Sequence, residues 1–175
     1  MRELHRERLD RWKLHDSMRG WFGRALYEKM AYNPDIWLIS ADLGWGLFDN
    51  HRDDFSERYL NTMASEQTAV GAAIGLALSN KIPLVYSITT FLLCRPFEWL
   101  RNYVNNEKIP VKLIGSGLGN DYLHDGFTHQ PYDIQEVLKC FPNIQTFFPT
   151  KKEQIPEVLN EVLYNNEPSF LCLRR

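Results

Sequence analysis

Short, continuous apolar runs alternate along this chain with amphipathic stretches and polar loops. Ile36-Trp37-Leu38-Ile39-Ser40, just after the stop signal Asn33-Pro34-Asp35, reads as a buried strand, as do Ile82-Pro83-Leu84-Val85-Tyr86 and Val111-Lys112-Leu113-Ile114-Gly115. The pattern predicts strands over 36–40, 58–61, 82–87, 110–115, 144–148 and 168–173, and helices over 65–79, 95–105, 131–139 and 151–164. A further helix starts from an Asp16-Ser17 cap and runs to Tyr32, with Met18, Trp21, Phe22, Ala25, Leu26 and Met30 at helical spacing. Residues 1–15 are highly charged and predict a helical extension or arm, leaving 16–175 as the domain proper. Apolar strands separated by helices indicate an α/β, three-layer sandwich: a mostly parallel sheet covered by helices on both faces.

Sites in such sheets lie in the crevice beyond the carboxyl ends of the strands. That places four loops together: Ala41-Asp42-Leu43-Gly44-Trp45-Gly46, Asn61 to Glu66, Ser87-Ile88-Thr89-Thr90-Phe91, and Ser116 to Gln130. Glu66 is the anomaly among them. It opens a helix that is almost wholly small or apolar after Gln67, where an ionised carboxylate is costly without a partner. It either complements the positive end of the helix dipole or serves proton chemistry. Phe91 is either a core ring over the helix–sheet joint or a stacking platform for a planar group. The loop from Ser116 is long and polar, as functional loops are. Its His124, Asp125 and His129 suit hydrogen bonding to a polyhydroxy or carbonyl substrate, and no HExxH-type pattern supports a metal. Gly115-Ser116-Gly117-Leu118-Gly119 lacks the order of a nucleotide loop. Arg95, Glu98 and Arg101 read as a solvated or interface face, and Trp45, Phe48, Trp99 and Tyr103 as an apolar contact surface.

Composition removes other classes. The 175 residues are 44% apolar, enough for one full core, and a formal charge of −2 gives no electrostatic case for nucleic acid. No apolar run reaches the length of a membrane span, and no apolar run follows the charged opening, so neither a membrane segment nor a signal peptide is expected. The cysteines Cys94, Cys140 and Cys172 are odd in number, far apart and form no CxxC pair, which argues against zinc or disulfides. A cytoplasmic, reduced location is expected.

Taken in order, the loops carry a set of motifs: Ala41-Asp42-Leu43-Gly44; Phe55-Ser56-Glu57-Arg58-Tyr59-Leu60-Asn61 with Ala64-Ser65-Glu66-Gln67; Thr89-Thr90-Phe91-Leu92 with Arg95-Pro96-Phe97-Glu98; Asp125-Gly126-Phe127-Thr128-His129-Gln130-Pro131; and the closing Pro168 to Arg175. Five motifs in register resemble the pyrimidine-binding domain of thiamine-diphosphate enzymes, in the transketolase and deoxyxylulose-phosphate synthase branch, over residues 16–175. By that resemblance Glu66 contacts N1′ of the aminopyrimidine and favours the imino tautomer, whose N4′ deprotonates thiazolium C2 to the nucleophilic ylide. The resemblance also implies that Phe91 stacks on the aminopyrimidine, His129 bonds the donor ketose or its oxyanion, Asp125 and His124 face the substrate, and Asp42 orders the cofactor pocket.

The family's magnesium-binding G-D-G motif, its later Asn and its C-terminal domain have no counterpart here. The resemblance therefore implies a subunit of a split transketolase with thiamine diphosphate shared across chains. Mg²⁺ and the diphosphate would be held by a partner subunit, in an α2β2 heterotetramer, and no metal by this chain. The expected reaction is transfer of a two-carbon ketol unit between sugars or sugar derivatives. Gly46 stands where a phosphate-contacting Ser is common, Phe147-Phe148-Pro149 replaces an Arg-Pro segment, and Asn120–His124 is an insertion, so modified sugars stay open. The alternatives are a 2-keto acid decarboxylase, an acyloin synthase subunit, and a non-catalytic assembly subunit.

Overall fold

The computed structural model describes residues 2–13 and 15–175. In chain order the elements are helix α1 (Arg2–Arg11), α2 (Met18–Tyr32), strand β1 (Ile36–Ser40), α3 (Asp49–Asp54), a 3-10 turn (Ser56–Arg58), β2 (Tyr59–Asn61), α4 (Glu66–Leu78) and β3 (Ile82–Ile88). They continue with α5 (Thr89–Cys94), α6 (Phe97–Trp99), a π turn (Leu100–Asn105) and β4 (Lys112–Ser116). Two 3-10 turns follow (Leu123–Asp125 and Phe127–His129), then α7 (Ile134–Lys139), β5 (Gln145–Phe147), a 3-10 turn (Lys152–Gln154), α8 (Ile155–Tyr164) and β6 (Ser169–Leu173). The six strands form one sheet in the order β2-β1-β3-β4-β6-β5, every pair parallel. The expected three-layer α/β sandwich is the architecture found.

Alternation along the strands builds a core on each face of the sheet. Leu38, Leu84, Tyr86, Ile114, Leu171 and Leu173 face Phe22, Leu26 and Met30 of α2 and Leu159 and Val162 of α8. Their neighbours Ile39, Val85, Leu113, Phe170 and Cys172 face Ala69, Val70 and Ala73 of α4, Leu92 and Leu93 of α5, and Leu138 of α7. The apolar runs therefore have no solvent side, which is why they lack a polar alternation.

Prolines set most of the differences from the predicted boundaries. β4 starts at Lys112 because Pro110 has no N–H for the ladder. The helix predicted over 95–105 starts only after Pro96, as α6 and the π turn, and the preceding α5 was not predicted. Pro131 delays α7 to Ile134. Arg58, predicted to be in β2, sits in the preceding turn. Its guanidinium donates to the carbonyls of Met30, Asn33 and Ile36, closing the C-terminal end of α2. α3 was not predicted, since Asp49–Asp54 has no apolar period.

One turn of that helix is nevertheless central to packing. His51 is fully buried, its ring set edge-on to Trp12, Tyr27 and Phe48. Helix α1 is clamped onto the same region, with Arg8 donating to Asn50 (2.9 Å) and Asp54 (2.6 Å) and Tyr27 donating to Asp54 (2.5 Å). Phe48, expected on a contact surface, is 1% exposed and belongs to this core.

Burial pushes the His51 imidazole down to about 3 from an ordinary 6.5, the nearby backbone of Gly23 only partly offsetting it, and neither ring nitrogen makes a hydrogen bond. Between those two values the unfolded chain binds a proton that the folded chain resists. Stability should therefore be full above about pH 6.5 and fall as the pH drops towards 3. In urea titrations from pH 7.5 to 4.5, His51→Leu should lose part of this acid sensitivity; an unchanged pH dependence would remove His51 as a cause.

Candidate functional site

Glu66 is the first residue of α4 and is 1% exposed. Its carboxylate is satisfied on both oxygens. Ser87, near the carboxyl end of β3, donates from Oγ to Oε1 at 2.7 Å, and Arg95 donates from Nη1 to Oε2 at 2.7 Å. Arg95 lies one turn after Phe91, whose carbonyl accepts its backbone N–H at 3.1 Å. That spacing lays the guanidinium over the Phe91 ring, with Cζ 3.7 Å from the centroid. His129, on the turn Phe127–His129, meets Phe91 edge-on at 4.8 Å between centroids. Three of the expected residues, Glu66, Phe91 and His129, thus form one cluster at the carboxyl edge of the sheet.

The Gly115-Ser116-Gly117 segment beside them is a packing device. A Cβ on Gly115 would come within 2.7 Å of both the Phe170 ring and Thr89 Oγ1. Gly117 has φ +95°, and a Cβ there would run into the Tyr122 ring. Its carbonyl accepts from Thr89 Oγ1 at 2.7 Å, and Tyr122 and Ser116 share a hydroxyl–hydroxyl bond of 2.8 Å. Tyr122 is therefore fixed 6.2 Å from the His129 ring, centroid to centroid, and forms a wall of a cavity of about 360 Å³. Lys13, His15 and Arg19 line the same cavity with Trp45 and Tyr86. The Nε of Arg19 is buried there without a hydrogen-bond partner. The rest of the long loop is pinned by Asp121. Burial opposes its ionisation, yet bonds from Arg174 and from the backbone N–H groups of Arg175 and Leu118 hold its carboxyl below the ordinary value.

The other expected residues stand apart from the cluster. Asp42, at φ +56°, is tied to Asn61, which donates to its carboxylate at 3.1 Å and accepts its backbone N–H at 3.0 Å. His124 and Asp125 are exposed, Asp125 lying 3.6 Å from Arg175. No group of three or more His, Cys, Asp or Glu side chains able to hold a metal occurs among the described residues. Cys172 is buried, its thiol pushed up to about 11 by burial, while Cys94 and Cys140 are exposed and not in the core. Arg95 corrects the reading of a solvated face, because it reaches inward to a buried acid. Ser87 opens one of the four expected site loops, but nothing local in the sequence marks it as the partner of Glu66. Arg19 was not singled out, because it sits on an amphipathic helix and only the fold brings it to the site.

Residues 16–175 match the family model described as transketolase, pyrimidine binding domain. The chain belongs to this family. Its members are thiamine-diphosphate-dependent, transketolase-like enzymes. An apulose-4-phosphate transketolase subunit of Actinobacillus succinogenes is 30% identical over 120 residues, 69% of this chain and 39% of that protein. A 1-deoxy-D-xylulose-5-phosphate synthase of Dictyoglomus turgidum is 31% identical over 157 residues, 87% of this chain and 24% of that protein. A solved split gene transketolase, an inactive beta4 tetramer, superposes with a TM-score of 0.78 at 28% identity over 91% of this chain and 51% of that one. The chain thus spans about half, or less, of the proteins it matches. No helix among the described residues is long and apolar enough to cross a membrane.

In this family domain the geometry around Glu66 depends on Ser87. Removing its hydroxyl leaves one oxygen of a buried carboxylate without a donor, which costs about 1–3 kcal/mol. Ser87→Ala should lower the urea-unfolding free energy by that amount. Ser87→Thr, which keeps the hydroxyl, should recover part of it, and equal stability of Ser87→Ala and the parent would show the bond to be dispensable.

Proposed function

We propose that this chain is the pyrimidine-domain subunit of a split, transketolase-like enzyme that transfers a two-carbon ketol unit between sugars or sugar derivatives. The observation that carries the reading is the cluster of Glu66, Phe91 and His129, a buried acid beside an aromatic face and an imidazole. Thiamine diphosphate fits that slot. The space beside Phe91 and Glu66 already holds a flat, cationic donor, the Arg95 guanidinium, stacked at 3.7 Å and bonded at 2.7 Å. An aminopyrimidine has the same requirements, a flat face and a hydrogen bond to a carboxyl group.

When bound, the cofactor supplies a carbon nucleophile at thiazolium C2. The chain's own residues prepare it. Glu66 shares a proton with N1′, and Ser87 fixes the rotamer of its carboxyl group. Phe91 offers its face to the ring. His129 donates to the substrate oxygen on which charge develops, held in place by the rings of Phe91 and Tyr122. Asp125 and His124, exposed on the same loop, are available to substrate hydroxyls, and Asp42 orders the first loop through Asn61. Lys13 and Arg19 give the adjoining cavity, which His15 also lines, a cationic side that suits an anionic group on the sugar.

The diphosphate and Mg²⁺ belong in this reading to a partner subunit carrying the diphosphate-binding domain, assembled as α2β2. The similarity to an apulose-4-phosphate transketolase subunit and to a split gene transketolase supports this division. A keto-acid decarboxylase or acyloin synthase on the same fold is the second reading, favoured by the similarity to a deoxyxylulose-phosphate synthase. Carbon dioxide release from 2-keto acids would identify it. The placement of Phe91 and His129 around Glu66, more than a structural ion pair needs, disfavours a non-catalytic assembly subunit.

Two outcomes are expected. The purified chain binds thiamine diphosphate weakly or not at all by calorimetry and gains transferase activity with the diphosphate-domain partner; tight, magnesium-dependent binding by the chain alone would overturn the division. In the assembled enzyme, Glu66→Ala slows exchange of the C2 proton in deuterated buffer by about 10²- to 10⁴-fold, the range of general acid–base catalysis, and leaves assembly intact. Normal exchange in that variant would take Glu66 out of the mechanism.

A further inference from the structure

Arg95 makes both contacts that a bound aminopyrimidine needs. Its guanidinium lies 3.7 Å over the Phe91 ring and donates to Oε2 of Glu66 at 2.7 Å, while Ser87 holds Oε1. Two flat groups cannot occupy one face of one ring. Nor can Oε2 keep a close bond to the guanidinium and face a pyrimidine nitrogen from the same side.

We propose that Arg95 is a resident stand-in for the cofactor, seated in the aminopyrimidine slot of the free chain and turned out of it when the cofactor binds. The inference rests on the cofactor reading given above and adds to it a competitor encoded in the chain.

The physical case for such a device is the cost of the empty slot. Glu66 is 1% exposed, and a buried carboxylate with only Ser87 for company is strongly unfavourable. Arg95 supplies the missing donor and covers the apolar face of Phe91, so the slot neither collapses nor carries an unpaired charge. The same side chain is built to leave. It is 43% exposed, and it stands at the junction of α5 and α6 immediately before Pro96. Its exposure gives the side chain a direct path into solvent, so seating and release fall to one rim residue. The arrangement also lowers the chain's affinity for the cofactor, because part of the binding energy is used to break the Arg95 pair.

The test uses the chain itself and the aminopyrimidine fragment of the cofactor, 4-amino-5-hydroxymethyl-2-methylpyrimidine, titrated by calorimetry or by shifts in side-chain NMR signals. Arg95→Met removes the competitor and should bind the fragment about ten-fold tighter than the parent, the scale of one charged hydrogen bond. Arg95→Lys, which keeps the charge but cannot lie flat on Phe91, should fall between the two. In Arg95→Ala, added ethylguanidinium should refill the slot and weaken fragment binding competitively. Equal or weaker binding by Arg95→Met in a chain that melts like the parent overturns the inference while leaving the cofactor reading intact. Binding of the fragment to neither chain overturns the stand-in, whereas the cofactor reading stands or falls on C2-proton exchange in the assembled enzyme. If Arg95→Met proves unstable, the ethylguanidinium competition in Arg95→Ala decides alone, and the absence of competition counts against the stand-in.

Discussion

A carboxylate taken out of water must be met by donors, and much of this site is arranged around that requirement. Glu66 lies at the start of a helix whose later residues are small or apolar and pack on the sheet, so the chain cannot solvate it locally. The donors come instead from β3, through Ser87, and from the end of α5, through Arg95. Helix α4 and the continuous β3–α5 segment are thereby held at fixed distances around one side chain. The ring of Phe91 and the imidazole of His129 are then placed by their relation to Arg95 and to one another. An ion pair of this kind contributes little net stability, because desolvation offsets most of the attraction. Its value is in specifying one arrangement of the loops.

The fold was largely legible because burial on both faces leaves a plain trace in sequence. Leu84, Val85 and Tyr86 need no polar alternation when the sheet has helices on either side, and the same holds for Leu113 and Ile114. Element ends were less legible where proline chemistry and tertiary contacts compete with pattern. Pro96 delays what reads as a helix from residue 95, and Arg58 leaves its strand to satisfy the carbonyls of α2. Helix α3 has no periodic signal at all, since its polar residues are organised by the single buried ring of His51.

The site was half legible, for a related reason. Glu66 could be found because a charge among small apolar residues contradicts its surroundings. Arg95 could not. Helical spacing put it with Glu98 and Arg101 on a wet face, but the segment is not one helix, and the turn before Pro96 points the guanidinium back across Phe91. The nitrogen-bearing side chains of the adjoining cavity were hidden likewise, because Lys13 and His15 precede α2, Arg19 sits within it, and only the tertiary fold gathers them beside Tyr122. A spacing rule identifies residues whose neighbours are local. Residues whose partners lie across the sheet leave no such trace.

The register of the strands has a consequence for where such a slot can exist. β1 ends at Ser40, opposite Tyr86, while β3 continues two residues further to Ile88, alongside Ser116 of β4. The carboxyl edge of the sheet is therefore a terrace, stepped by about 6 to 7 Å at the rise of an extended chain. Ser87 stands on the upper tread with no β1 residue abreast of it. The depth of the recess is thus fixed by strand length, deep in the most buried part of the molecule, and owes little to the loops that rim it. Those loops can change while the floor stays at the same level.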